Sequence, residues 1–353
     1  MLTRLHKILI GLLVAQIALV VVTATQCGEP PATTEQPLLA GFDAATVTRL
    51  QVFPSNGPPI DIVKRDTGWV LASSFDYPVE PNKVTDVLAP IAKMAAADPI
   101  ATQPARHAQL RVGEAAFERK LVITAAGKPI TLFVGSPAGS RRNAVRFGGD
   151  DRVYAVSGVS ASAIGGEPAS WVNTLYVNVP RDEVAKVVID RKGSLIELAK
   201  VTIPAPAEGS GAMPPPPGPD QWNVAIGGAP VKLAAGETID TAAINQIVAS
   251  ATSIQMATPG NPNHNVVNPA ATLTIERKAT GATPTGPLII DIVAIDDGNY
   301  WVHERGRNQA VLVPKPRLDN VIGVDRDKLV AKPASPPPSN AQGSGSAAGK
   351  HPG

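Results

Sequence analysis

Histidine is the side chain best suited to move protons or hold a metal near neutral pH, and away from the two chain ends this sequence carries three: His107, His264 and His303. His107 in ARHAQL and His264 in PNHNVV follow comparable apolar stripes, an arrangement that invites a paired metal site. Neither has a second histidine or a cysteine at ligand spacing, so both are expected to bond loop groups instead. The pairs Asp150-Asp151 and Asp296-Asp297 have the residue type for acid and base work, which needs one desolvated and one solvated carboxylate. Each pair sits beside glycine, in GGDD and DDG, where aspartate serves hairpin turns. Gly135 to Asn143 (GSPAGSRRN) offers glycines and two arginines to a phosphate, yet it lacks a Walker lysine and opens no helix, so a surface loop is expected. Neither Ser136 nor Ser160 has the two flanking glycines of a nucleophile elbow. The residues call for no catalytic group, no cofactor and no metal; the chain reads as a binder, not an enzyme.

If there is a recognition surface, the candidates are Tyr300, Trp301, His303, Arg305 and Arg307, which bring aromatic and cationic groups into one short stretch. Strand alternation places Tyr300 and Trp301 on opposite faces and leaves one of them exposed. Trp69 and Trp222 stand at the start of matching strands and are expected to be core wedges, while Trp171 has no counterpart.

The elements that position these groups come as a pattern written twice. Val145 to Val156 (VRFGGDDRVYAV) and Val302 to Val313 (VHERGRNQAVLV) align without a gap as apolar strand, glycine turn and returning strand. Upstream of each lie alternating strands, a tryptophan strand and a striped helix. In the first copy Val47 to Phe53, Ile60 to Val63 and Gly68 to Leu71 precede a stripe of Val84, Val87, Leu88, Ile91 and Met94, with Pro90 expected to kink or end the helix. In the second copy Val184 to Ile189, Leu195 to Val201 and Trp222 precede Ile244, Ile247, Val248, Ala251 and Ile254, with Asp240 or Thr241 as helix cap. Consecutive short strands separated by turn residues predict antiparallel meanders. The expected class is α+β: two tandem repeats, each a mostly antiparallel sheet with one covering helix, over residues 45–180 and 181–331. A proline-rich insertion, Pro204 to Pro219, splits a hairpin of the second copy, and residues 332–353 read as a disordered tail.

Lysine and arginine number 32 against 30 aspartates and glutamates, and aromatic residues are 4% of the chain, which leaves neither the field nor the stacking platforms of a nucleic-acid binder. The single cysteine, Cys27, excludes an internal disulfide. Arg4, His6 and Lys7 precede an uncharged run from Ile8 to Thr25, whose length as a helix, roughly 27 Å, matches a bilayer core. Residues 1–27 are thus expected to be a single transmembrane signal anchor, with 28–44 a proline-rich spacer and the body on the extracytoplasmic side of a bacterial inner membrane. Simple cleavage and lipidation at Cys27 stay open, although Gln26 is large and polar for a lipidation site.

The strands Val47 to Val52 and Gly68 to Leu71, the Val/Leu-striped helix and the hairpin ending in Val153 to Val156 (VYAV) resemble the bacterial domain-of-unknown-function 4340 family over most of Val47 to Val330 in two passes. That resemblance implies an exported, membrane-anchored protein, and the encoding of some members beside ABC-transporter components of the gliding-motility type implies an accessory subunit. It carries over no catalytic residue. The expected function is a non-catalytic binding or accessory protein of an ABC-type transport complex, with its permease or accessory proteins as partners. The alternatives are an envelope polysaccharide or peptidoglycan hydrolase using carboxylates between the repeats, and a passive envelope scaffold.

Overall fold

The computed structural model describes residues 34–201, 220–260, 268–278, 286–295 and 298–332, with Leu13 and 15–17. Most of the apolar run, Cys27, His264, Asp296-Asp297, the Pro204 to Pro219 insertion and the tail beyond Lys332 lie outside the described residues. Among the described residues no helix is long and apolar enough to cross a membrane. The architecture is α+β with antiparallel sheets, and the chain divides into two compact units, 1–173 and 174–353.

In the first unit the strands are β1 (Val47–Pro54), β2 (Ile60–Arg65), β3 (Gly68–Leu71) and β4 (Tyr77–Pro78), then helix α1 (Pro81–Ala92), then β5 (Arg119–Ala125), β6 (Lys128–Pro137), β7 (Arg142–Phe147) and β8 (Val153–Ser157). They form one eight-stranded sheet in the order β8-β7-β6-β5-β1-β2-β3-β4. Two four-strand meanders therefore meet where β5 returns beside β1, and every pair is antiparallel. Alternation drives this: Leu50, Val52, Leu121 and Ile123 are buried on one face while Gln51, Val122 and Thr124 between them are not fully buried. A two-residue turn, Ala126-Gly127, joins β5 to β6 with both residues at positive φ (48° and 76°), the twist that suits a tight hairpin.

Helix α1 buries Val84, Val87, Leu88 and Ile91, the expected stripe. Pro90 lies inside it, where it can give no N–H to the Asp86 carbonyl one turn back, and the helix stops two residues later at Ala92. Met94 is nevertheless buried, in the chain that continues past the helix. The opposite face of the sheet has its own small core of Phe133, Ala144 and Val153 packed with Ala101 and Val112 from the segment after α1. The folded unit begins earlier than expected. Gln36–Pro37 pairs with Ala95–Ala96, and the Leu38 N–H donates to Met94 at 2.9 Å, so the last residues assigned to the spacer are part of the domain.

In the second unit β9 (Leu175–Asn178) is followed by β10 (Val184–Arg191), β11 (Ser194–Lys200), β12 (Trp222–Ile226), β13 (Ala229–Pro230), α2 (Thr241–Thr252), β14 (Ser253–Gln255), β15 (Thr258–Pro259), β16 (Ala271–Arg277), β17 (Leu288–Ala294), β18 (Asn299–Glu304) and β19 (Val311–Pro314). The main sheet runs β13-β12-β11-β10-β16-β17-β18-β19-β15, again two meanders joined through their first strands. Asp240 caps α2 by accepting the Ala243 N–H at 2.9 Å, and Ile244, Ile247, Val248 and Ala251 are buried. Ile254 falls beyond the helix, in β14, whose pairing with β9 moves the unit boundary from Pro180 back to Asn173. Strands β11 and β12 pair Lys200 with Trp222 directly across the proline insertion.

Candidate functional site

Hairpins β7–β8 and β18–β19 share a register. Val145 faces Tyr154 in one and Val302 faces Val311 in the other, the offset that a gapless alignment of the two stretches requires. The Gly148 N–H donates to Thr131 at 2.9 Å and the Arg305 N–H to Ile289 at 2.8 Å, which fixes their correspondence. Gly148 is held small by its own unit, since a Cβ there would lie 2.7 Å from Thr131 Cβ.

Against this common frame the two sheets carry different chemistry along one line of cross-strand neighbours. In the first unit the line is Phe53, Lys120, Phe133 and Arg146. Lys120 Nζ lies 5.7 and 5.4 Å from the Phe53 and Phe133 ring centres, and the Arg146 guanidinium 4.4 Å from Phe133. Arg146 is buried yet satisfied, with Nε donating to the Val112 carbonyl at 2.7 Å and Nη2 to Glu114 at 2.9 Å. In the second unit the corresponding line is Asp190, Thr272, Asp291 and His303. Asp291 is 6% exposed. Its carboxylate accepts two hydrogen bonds from Arg305, at 2.7 and 2.9 Å, and one from the Thr272 hydroxyl at 2.9 Å. Burial pushes its pKa up, but the Arg305 and Thr272 hydrogen bonds and the Arg305 and His303 charges outweigh it and hold the carboxyl below the ordinary range. Asp190 and Thr272 continue the line into an open hollow of about 460 Å³ also lined by Lys192, Gly193 and Asn268.

The expected recognition residues divide. Tyr300 is buried, not exposed: its hydroxyl donates to Asp319 at 2.8 Å, and burial together with that bond raises its pKa to about 12. Trp301 is half-buried and lies against Gly260, where any Cβ would enter the indole ring. His303 bonds the Arg307 carbonyl through Nε2 at 3.0 Å, Arg307 pairs with Glu304 at 2.6 Å and stacks 4.7 Å from the Tyr176 ring centre, and Arg305 holds Asp291. The half-exposed side chains of Arg305 and Arg307 are what this hairpin presents to solvent. Sequence reasoning missed Asp291 and Thr272. A single aspartate inside the apolar run LIIDIVA was the available signal.

The profile of the family described as Domain of unknown function (DUF4340) matches residues 69–257, more than half of the 353. The chain belongs to the DUF4340 family. No curated protein and no solved structure matches it. The DUF4340 match enters at Trp69 in the first unit and leaves at Ala257 in the second, so it covers part of each unit.

Within this DUF4340 chain the other candidates have structural partners. His107 is buried and its Nε2 lies 2.9 Å from the Asp151 carbonyl. Asp150 accepts the Arg152 N–H at 3.0 Å and pairs with its guanidinium at 2.8 Å, as turn chemistry anticipates; these bonds lower its pKa. Among the described residues no group of three or more His, Cys, Asp or Glu side chains is arranged to hold a metal. Trp222 is a core wedge whose Nε1 donates to Asn245 of α2 at 2.8 Å, whereas Trp69 is only half-buried beneath Lys64.

Proposed function

We propose that the chain is a membrane-anchored, extracytoplasmic binding or accessory protein, built from two tandem repeats of one ancestral unit and serving an ABC-type transport complex. The observation that carries the binding reading is the polar line Asp190, Thr272, Asp291 and His303, with Arg305 and Arg307 at its end, where the first unit has a cation–aromatic ladder. Two copies that keep one frame but diverge along one line suit a stable scaffold with one copy specialised for recognition. The common strand order and hairpin register support the duplication. The structural bonds that engage Asp150, Asp291, His107 and His303 favour binding over an envelope hydrolase, which uses two carboxyl groups about 5–10 Å apart across its substrate.

The test is a photo-crosslinking residue at Arg307 of the full-length chain in intact membranes, with adducts identified by mass spectrometry. A permease or accessory subunit of an ABC transporter is expected, and the adduct should disappear on Arg305→Ala. Adducts only to unrelated abundant proteins, or none, overturn the reading.

A further inference from the structure

The segment Gly139 to Asn143 forms one wall of an open pocket of about 430 Å³ in the first unit, facing Gly158, Ser160 and Ser162. Two adjacent arginines, Arg141 and Arg142, line it. Among the described residues Arg141 has no acidic partner, and Arg142 has only Glu35, at 3.5 Å with both side chains half-exposed. Across the pocket the Ser160 and Ser162 hydroxyls lie 3.1 Å apart. Asn143 is pinned by donating to the Val159 carbonyl at 2.9 Å, which ties the arginine wall to the serine wall.

Arg141 has φ of 57°, in the left-handed region that non-glycine residues seldom adopt. The turn is closed by the Ala138 N–H donating to Arg142 at 2.9 Å, so two cations are held at the tip of a fixed loop. Between β17 and β18 of the second unit the sequence has Asp296, Asp297 and Gly298, with no arginine. The arginines are thus a property of the first unit and not of the common frame.

We propose that this pocket binds a phosphate ester, with Arg141 and Arg142 meeting the charged oxygens and the hydrogen-bonded Ser160–Ser162 pair donating its one remaining hydroxyl proton to another. Two guanidinium forks and a hydroxyl donor match a tetrahedral oxyanion in charge and geometry. The volume exceeds that of a bare phosphate and leaves room for the esterified group. Two sources share this chemistry: a soluble phosphate ester and the headgroup of an anionic phospholipid. The headgroup source rests on the anchored reading above. Nine residues lie between Thr25 and Glu35, which lies beside Arg142, so in an anchored chain the ten steps reach at most about 36 Å and keep Glu35 within that distance of the bilayer.

The test is calorimetric titration of the full-length chain in a neutral detergent with three probes: glycerol 3-phosphate, short-chain phosphatidylglycerol and short-chain phosphatidylcholine. Glycerol 3-phosphate binding, weakened at least tenfold by the R141A/R142A double variant and several-fold by S160A/S162A, is the expected result. Phosphatidylglycerol binding with the same losses, and stronger than phosphatidylcholine, assigns the headgroup source; glycerol 3-phosphate alone assigns the soluble one. Because the glycerol 3-phosphate arm does not involve the anchor, its success stands even if the anchored reading fails. Binding of none of the probes, or binding unchanged in a double variant that melts like the wild type, overturns the proposal.

Discussion

Arg305 grips Asp291 with a two-pronged hydrogen bond, Nε to Oδ2 at 2.7 Å and Nη2 to Oδ1 at 2.9 Å, joining a half-exposed cation to a buried carboxylate. The Thr272 hydroxyl completes the acceptor's needs at 2.9 Å. Removing the arginine leaves a charge in the sheet with one polar partner. Arg305→Ala is expected to destabilise the second unit by about 1–3 kcal/mol, read as a lower denaturation midpoint at unchanged slope. Asp291→Asn, which keeps the shape and a hydrogen-bonding oxygen, should cost less. Equal midpoints for Arg305→Ala and the wild type would show the pair to be a surface ornament.

The same carboxylate makes a pH signature. Asp291 has its pKa held low in the fold, so its contribution to stability is complete above the unfolded value of about 3.9 and is lost as the pH falls through the lower folded value. Melting temperatures of wild type and Asp291→Asn should therefore differ at pH 7 and converge as the pH falls through the lowered folded value. A difference that persists unchanged at low pH contradicts this assignment.

Tyr300 has the opposite sign. With its pKa raised to about 12 by burial and Asp319, its contribution is present below the ordinary value of about 10 and is lost as the pH climbs toward 12. Ultraviolet titration of the tyrosines should show a late component that is smaller in Tyr300→Phe. A late component of undiminished amplitude in that variant would overturn the assignment.

Gly260 lies beneath Trp301 and against the Ala310 carbonyl, and a methyl group there has no room. Gly260→Ala is expected to lose about 1–3 kcal/mol through overpacking and to shift tryptophan emission to the red as the indole is displaced. An unshifted spectrum with unchanged stability would mean that the contact is loose.

The Asp240 cap on α2 offers a local comparison. Asp240→Ala leaves the Ala243 N–H without its acceptor and should cost about 1 kcal/mol. Helix α1 begins at Pro81 after Glu80, which makes no side-chain cap bond. Glu80→Ala is expected to change little in the same thermal melt, and an equal loss in both variants would refute the capping argument.

Much of the frame was legible because it rests on local rules. Alternation marked β1, β5 and β10, the Val84-to-Ile91 stripe marked α1, and Pro90 and Asp240 marked an end and a beginning. The last stripe residues, Met94 and Ile254, fit the helical spacing yet lie beyond the helices, because burial alone has the same signature in a helix and in the chain that follows it. Tyr300 looks like a surface candidate in the sequence for a similar reason: alternation says that neighbours diverge without saying which face is covered.

The sequence by itself determined the α+β class, the antiparallel pairing and the two glycine-turn hairpins, since these follow from hydrophobic period and turn residues close in the chain. Only the tertiary structure decided that Asp291 meets Arg305, that Tyr300 turns inward to Asp319, and that Arg141 and Ser160 share a pocket. Those meetings depend on cross-strand register and loop closure, which bring together residues that no local pattern links.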